Sequence, residues 1–121
     1  VQQVLAAVHD PVRLEMVRRL YNAGKPLQCG ALYDGINKST ATHHFKILRE
    51  AGVTERLAVD GLIHQRLRRA EVDAAIPGLL SSIVQGVNAG YGFFADVDDG
   101  RRAAAAPNLA QALALKMTPL N

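Results

Sequence analysis

The chain has few of the residues from which metal centres and catalytic sites are usually built. Its one cysteine, Cys29, excludes an intrachain disulfide and a thiolate metal cluster within one chain. No run approaches the roughly 18 to 20 uninterrupted apolar residues needed to cross a bilayer. No charged-then-apolar leader opens the sequence as given, so a cytoplasmic location without a membrane partner is expected. A Gly-x-Ser-x-Gly elbow and a phosphate-cradling glycine loop are missing, and no pair of carboxylates can be placed by its spacing. A non-enzyme without a cofactor is therefore expected.

What is present fits one domain with one hydrophobic core. The 121 residues are 49% apolar and 21% charged, the balance of a globular protein rather than of a disordered one. The net charge is +3, and its distribution says more than its size. Between Lys38 and Arg69 stand Lys38, Lys46, Arg49, Arg56, Arg66, Arg68 and Arg69, against only Glu50, Glu55 and Asp60. A basic segment in an otherwise near-neutral chain suggests a polyanion met by one face, although a solvated charged surface would look the same.

The hydrophobic pattern predicts mainly helix with one small hairpin. Gln2 to Val8 carries Val4, Leu5 and Val8 on one side. Asp10-Pro11 restarts the chain, Asp as cap and Pro at the first helical position, where no hydrogen bond is lost. The following stretch spaces Val12, Met16 and Leu20 four apart, with Val17 and Tyr21 beside them, and Gly24 and Pro26 end it. Glu15 and Arg19 are placed for an i,i+4 ion pair. Gln28 to Asp34 reads as a second short helix with Ala31 and Leu32 as its apolar contacts, stopped by Gly35. Asn37 caps a third helix from Lys38 to about Ala51, closed by Gly52. Two helices about a tight glycine turn make a helix-turn-helix. "VTERLAVDGLIHQRLRR" then gives two extended runs about Asp60-Gly61, a dipeptide suited to a two-residue hairpin turn, with Glu55 opposite Arg66. Neither run alternates cleanly, so the buried face is not assigned.

Ala70 to Val87 reads as helix again, with Pro77 either starting a new helix or kinking this one. Leu79, Leu80, Ile83, Val84 and Val87 form an apolar stripe too broad for one small domain to cover, and a second subunit is the economical cover. Residues 88–106 read as linker or loop, and Leu109, Leu113 and Met117 mark one more possible helix. The expected division is 1–87 and 88–121.

The stretch "STATHHFKILREAGV" decides between chemistries. His43 and His44 are adjacent, so their side chains point about 100 degrees apart on a helix and do not readily chelate one ion. Asp96, Asp98, Asp99 and Gly100 lack the spacing of a calcium loop and its bidentate glutamate. No metal site is expected. Ala41, Phe45 and Leu48 recur at helical spacing and face the core. Lys38, Ser39, Thr42, His43 and Lys46 fall on the other side, a short polar and cationic face without an acid. Such a helix start can reach base edges in a major groove, and its free amides can hold a phosphate.

With these residues in view, the chain resembles an ArsR-type winged helix-turn-helix transcriptional regulator over residues 3–87. "HDPVRLEMVRRL" is similar to the second-helix signature of that family, "KSTATHHFKILREAGV" to its recognition helix and "ERLAVDGLIHQRL" to its wing. The resemblance implies a homodimer joined through the first and last helices, here Val4, Leu5 and Val8 with Leu79, Leu80, Ile83, Val84 and Val87. It implies that Lys38, Ser39, Thr42, His43 and Lys46 contact double-stranded DNA, with Arg56 and Arg66 as further wing candidates. Metal sensors of the family use cysteine pairs or His and Asp on the last helix, and this sequence departs from both. A homodimeric repressor on an imperfect palindrome is expected. The alternatives are a winged-helix module that binds another protein, a small-molecule sensor with a pocket near Tyr91, Phe93 and Phe94, and a redox switch at Cys29.

Overall fold

The computed structural model describes residues 1–91. The expected helix at Leu109 to Met117, the acidic run at Asp96 to Asp99, and Phe93 and Phe94 lie outside the described residues, as does the side chain of Tyr91. Val1–Ser81 forms one unit, and a second begins at Ser82.

The first unit opens with α1 (Gln2–Val8) and α2 (Pro11–Ala23). Asp10 Oδ1 accepts from the amides of Val12 at 2.8 Å and Arg13 at 3.2 Å, and Pro11 occupies the first turn, as the sequence predicts. Gly24 ends α2 in the left-handed region, at φ 66°. Glu15 takes Arg18 at 2.6 Å and Arg19 at 2.8 Å, and Arg19 also reaches Asp34 at 2.6 Å. The predicted ion pair is thus one edge of a small network that ties α2 to the turn below it.

That turn differs from the expectation. In place of a helix from Gln28 to Asp34 there is a two-residue strand, β1 (Leu27–Gln28), followed by one 3-10 turn at Cys29–Leu32. The cause is an available partner. The backbone of Leu27 and Gln28 pairs antiparallel with Gln65 and His64, bonds that a short helix containing Gly30 could not match. Leu32 is buried, whereas Ala31 is exposed and makes no core contact of the expected kind.

Asn37 then starts α3 (Lys38–Glu50), its Oδ1 accepting from the Thr40 amide at 2.8 Å. Gly52 turns the chain out at φ 81°, while the Val53 amide donates back to the Leu48 carbonyl at 3.0 Å. The positive φ favours glycine there, and a side chain at position 52 would also press on Arg68 Nη1 at 3.1 Å.

The hairpin β2 (Thr54–Val59) and β3 (Leu62–Leu67) turns on Asp60 at φ 53° and Gly61 at φ 78°, and its register sets Glu55 opposite Arg66. The sheet order is β1-β3-β2. Burial along the hairpin is concentrated near its base: Thr54, Gln65 and Leu67 are covered, but Leu62 and Ile63 near the tip are exposed. Pro77 does separate two helices, α4 (Arg69–Ala75) and α5 (Leu79–Gly86). Between them Gly78 adopts φ 78° and donates its amide to Asp73 Oδ1 at 3.0 Å.

Met16, Val17 and Leu20 of α2, Leu32, and Ala41, Phe45 and Leu48 of α3 make the centre of the core, closed by Val53, Leu67 and Val72. Each large side chain buried here contributes about 1.5–3 kcal/mol. Their joint effect is to hold α3 by one stripe and leave its opposite side to solvent. In the second unit, residues 82–91 complete α5 and add a wider helical turn, Val87–Tyr91, with Gly90 at φ 96°.

Candidate nucleic-acid interface

At 3.6 residues per turn, α3 divides into stripes. Ala41, Phe45 and Leu48 face inward. Ser39, His43, Lys46 and Glu50 are all exposed and form the outermost stripe. Lys38 and Thr42, also exposed, stand to one side of it in line with Phe45 and Arg49, toward the hairpin. The sequence-predicted contact residues of α3 are therefore all accessible, but on two adjoining stripes rather than one face. Glu50 ends the outermost stripe, so the face expected from the sequence to lack an acid carries one at its far end. It meets Lys46 at 3.9 Å with both side chains largely exposed, a pairing worth little in water.

The first turn of α3 carries no carboxylate, so the positive end of the helix dipole is not offset locally. Ser39 Oγ donates to Asn37 Oδ1 at 3.0 Å, and Thr42 Oγ1 donates to the Lys38 carbonyl at 2.8 Å. Both hydroxyl protons are committed within the helix start, while the oxygen lone pairs stay outward. His43 stands exposed beside them.

His44 is a different kind of residue from His43. Its side chain is only 13% exposed, with Nδ1 3.0 Å from Arg13 Nη1 and 4.0 Å from Asp10 Oδ1. Burial holds its pKa below the ordinary value; Asp10 opposes that, and Arg13 and His43 add to it. A neutral ring that accepts from Arg13 fits this site. Arg13 Nε in turn donates to the Ala7 carbonyl at 2.6 Å. His44 thus links the recognition-helix candidate to the ends of α1 and α2, a role that local sequence did not reveal because its partner lies 31 residues away. The two histidine rings are 6.1 Å apart and tilted by 57°, so they diverge.

The two wing arginines part company. Arg56 is exposed and makes no ion pair among the described residues. Arg66 bridges Glu55 across the hairpin and Glu71 of α4 at 2.7 Å, and Arg68 meets the same Glu71 at 3.1 Å. Hydrogen bonds that Arg66 donates to the two carboxylates raise its pKa. Its charge is largely answered inside the protein, which leaves Arg56 as the cation the wing offers outward. Arg49, one turn beyond Phe45 on the hairpin side, was missed; its spacing of seven from Thr42 was the available signal.

Of the residues proposed for a subunit interface, Leu5 is exposed, whereas Val4, Val8, Leu80 and Val84 are buried and Leu79, Ile83 and Val87 are half-buried. No helix among the described residues is long and apolar enough to cross a membrane.

Comparison with known proteins places this geometry among relatives. The family model described as a helix-turn-helix domain matches residues 8–56, a span from the end of α1 into β2. The HTH-type transcriptional regulator YceK of Bacillus subtilis is 37% identical over 83 residues, which is 67% of this chain and 83% of that protein. The crystal structure of the transcriptional repressor BigR from Xylella fastidiosa superposes with a TM-score of 0.52 at 28% identity, covering 74% of this chain and 81% of that one. The fold of this chain is accordingly the winged-helix one, mainly helical with a small three-stranded antiparallel sheet.

Proposed function

Since the chain belongs to the helix-turn-helix transcriptional regulators, we propose that it is an ArsR-type, sequence-specific repressor acting on double-stranded DNA in the cytoplasm. The observation that carries this reading is the exposed polar stripe of α3, Ser39, His43 and Lys46, on a capped helix whose opposite side is packed into the core. A helix seated this way projects its first two turns outward, as entry into a major groove requires. Lys46 and Lys38 supply attraction for phosphates; Thr42 and His43 meet base edges; Arg56 meets the backbone beside the wing.

The active species in this reading is a homodimer whose contact uses α1 and α5. Leu5 is the large apolar side chain of α1 that the protomer leaves uncovered. Two copies of α3 then address an imperfect palindrome with half-sites about 10 base pairs apart, or a multiple of that. Titration of a random duplex at low salt, followed by selection from a random oligonucleotide pool, tests affinity, symmetry and specificity together. Lys46→Ala is expected to weaken binding to every sequence and to reduce the salt slope by about one, whereas Thr42→Ala changes the preferred sequence. A salt slope unchanged in Lys46→Ala counts against its phosphate role, and a wild-type protein with no affinity for duplex at low salt overturns the proposal.

A further inference from the structure

Between α3, the 3-10 turn and the hairpin lies an open cleft of about 590 Å³, within the range of small-molecule sites. Its walls differ in character. Phe45 and Tyr33 line one side and Leu62 and Ile63 the other, the last two 52% and 42% exposed although they are large and apolar. Around them stand Lys38, Arg49 and Arg56, none of which makes an ion pair among the described residues. No carboxylate lines the cleft. Gln65 also lines it; that side chain is 2% exposed, its amide nitrogen reaches Cys29 Sγ at 3.7 Å, and its amide oxygen has no partner.

An apolar lining left open to water and a buried amide oxygen without a donor each carry a cost in the empty protein, and three cations with no carboxylate beside them leave an uncompensated positive field over the cleft. One kind of occupant relieves all three: a small organic anion with a flat apolar body and a hydrogen-bond donor. A DNA backbone satisfies the cations alone, because a ridge of phosphates cannot place apolar surface between Phe45 and Ile63. We propose that this cleft binds such an anion. Lys38, Thr42 and Arg56 belong both to the cleft and to the DNA-facing set, so an occupant there withdraws them from a duplex. This second step rests on the DNA-binding reading above; occupancy of the cleft does not.

Anilinonaphthalene sulfonate, an aromatic anion whose fluorescence rises on leaving water, is the probe. It is expected to bind the whole chain saturably at one site per subunit, and to slow the alkylation of Cys29 by iodoacetamide, since this single thiol lines the cleft. Arg49→Gln and Ile63→Ser, both on surface positions, should each weaken the dye about tenfold, the scale of one charge-assisted bond or one apolar contact. Phenylnaphthylamine, the same body without the sulfonate, should bind weakly and lose nothing in Arg49→Gln. Dye affinity unchanged in both variants, with their thermal unfolding also unchanged, overturns the site; so does failure to protect Cys29. In a separate arm, anisotropy of a labelled random duplex reports DNA binding, and the dye should release it. Dye and duplex bound together without mutual displacement refute the competition. A duplex that never binds refutes the DNA-binding reading, while the dye and alkylation results still decide the cleft.

Discussion

His43 and His44 show how little a residue type determines before its surroundings are known. Both sit on α3, yet one meets solvent and the other is closed in by Arg13 and Asp10. Because burial lowers the His44 pKa in the folded protein, folding favours the neutral ring. The stability it contributes is complete above the unfolded value of about 6.5 and is lost as pH falls toward the lower folded value. The melting temperature should therefore drop as pH is taken from about 7 to 5, and His44→Gln, which keeps an acceptor for Arg13, should flatten that drop. A profile identical in the two proteins would show that His44 titrates unperturbed. Glu15 acts in a separate and more acidic window. Burial raises its pKa but bonds from Arg18 and Arg19 lower it further, so its contribution is full above about 4.5 and lost below. Periodicity could assign Ala41, Phe45 and Leu48 to the core because that information is local. It could not find the partners of His44 or Gln65, which come from distant segments.

At the level of elements, the signals that worked were those with a mechanism at one or two positions. Asp10-Pro11, Asn37, Gly24, Gly52 and Asp60-Gly61 all do what their chemistry predicts. Asn37→Ala should cost about 1 kcal/mol through loss of the α3 cap, and Gly61→Ala about the same through a left-handed backbone that alanine resists. Denaturant unfolding measures both, and the second should also loosen amide protection at the hairpin tip. The misread element was the segment after Leu27. A two-residue strand has too short a pattern to be seen, and it exists only because β3 offers it an edge. The same dependence explains why the hairpin's inner face could not be assigned from alternation. Leu62 and Ile63 are exposed and border a cleft, while the polar Gln65 is buried, so the hairpin obeys no simple two-sided rule.

For the whole molecule, the surplus of apolar residues on the first and last helices was legible, and part of it turns inward. Val4, Val8 and Leu80 help to close the protomer's own core, which periodicity alone cannot distinguish from surface held for a second subunit. Leu5 separates the two uses. If the protein is the dimer proposed above, Leu5→Glu should leave the melting temperature of dilute protein nearly unchanged yet shift sedimentation from dimer to monomer, and it should reduce affinity for a palindrome far more than for a single half-site. Persistence of a dimer in that variant would move the contact elsewhere. The charge pattern was equally legible in outline, but the ion pairs redistribute it. Arg66 and Arg68 serve the join between hairpin and α4, whereas Lys38, Arg49 and Arg56 make no ion pair among the described residues.

The commitment of the Thr42 proton to the Lys38 carbonyl limits what this side chain can ask of an operator. An oxygen offering only lone pairs complements the exocyclic amines of adenine and cytosine, and it is mismatched to the carbonyl edges of guanine and thymine. If Thr42 meets base edges as proposed, selected operators should accordingly favour A or C opposite it, and that bias should vanish when the hydroxyl is replaced by a methyl group in Thr42→Val.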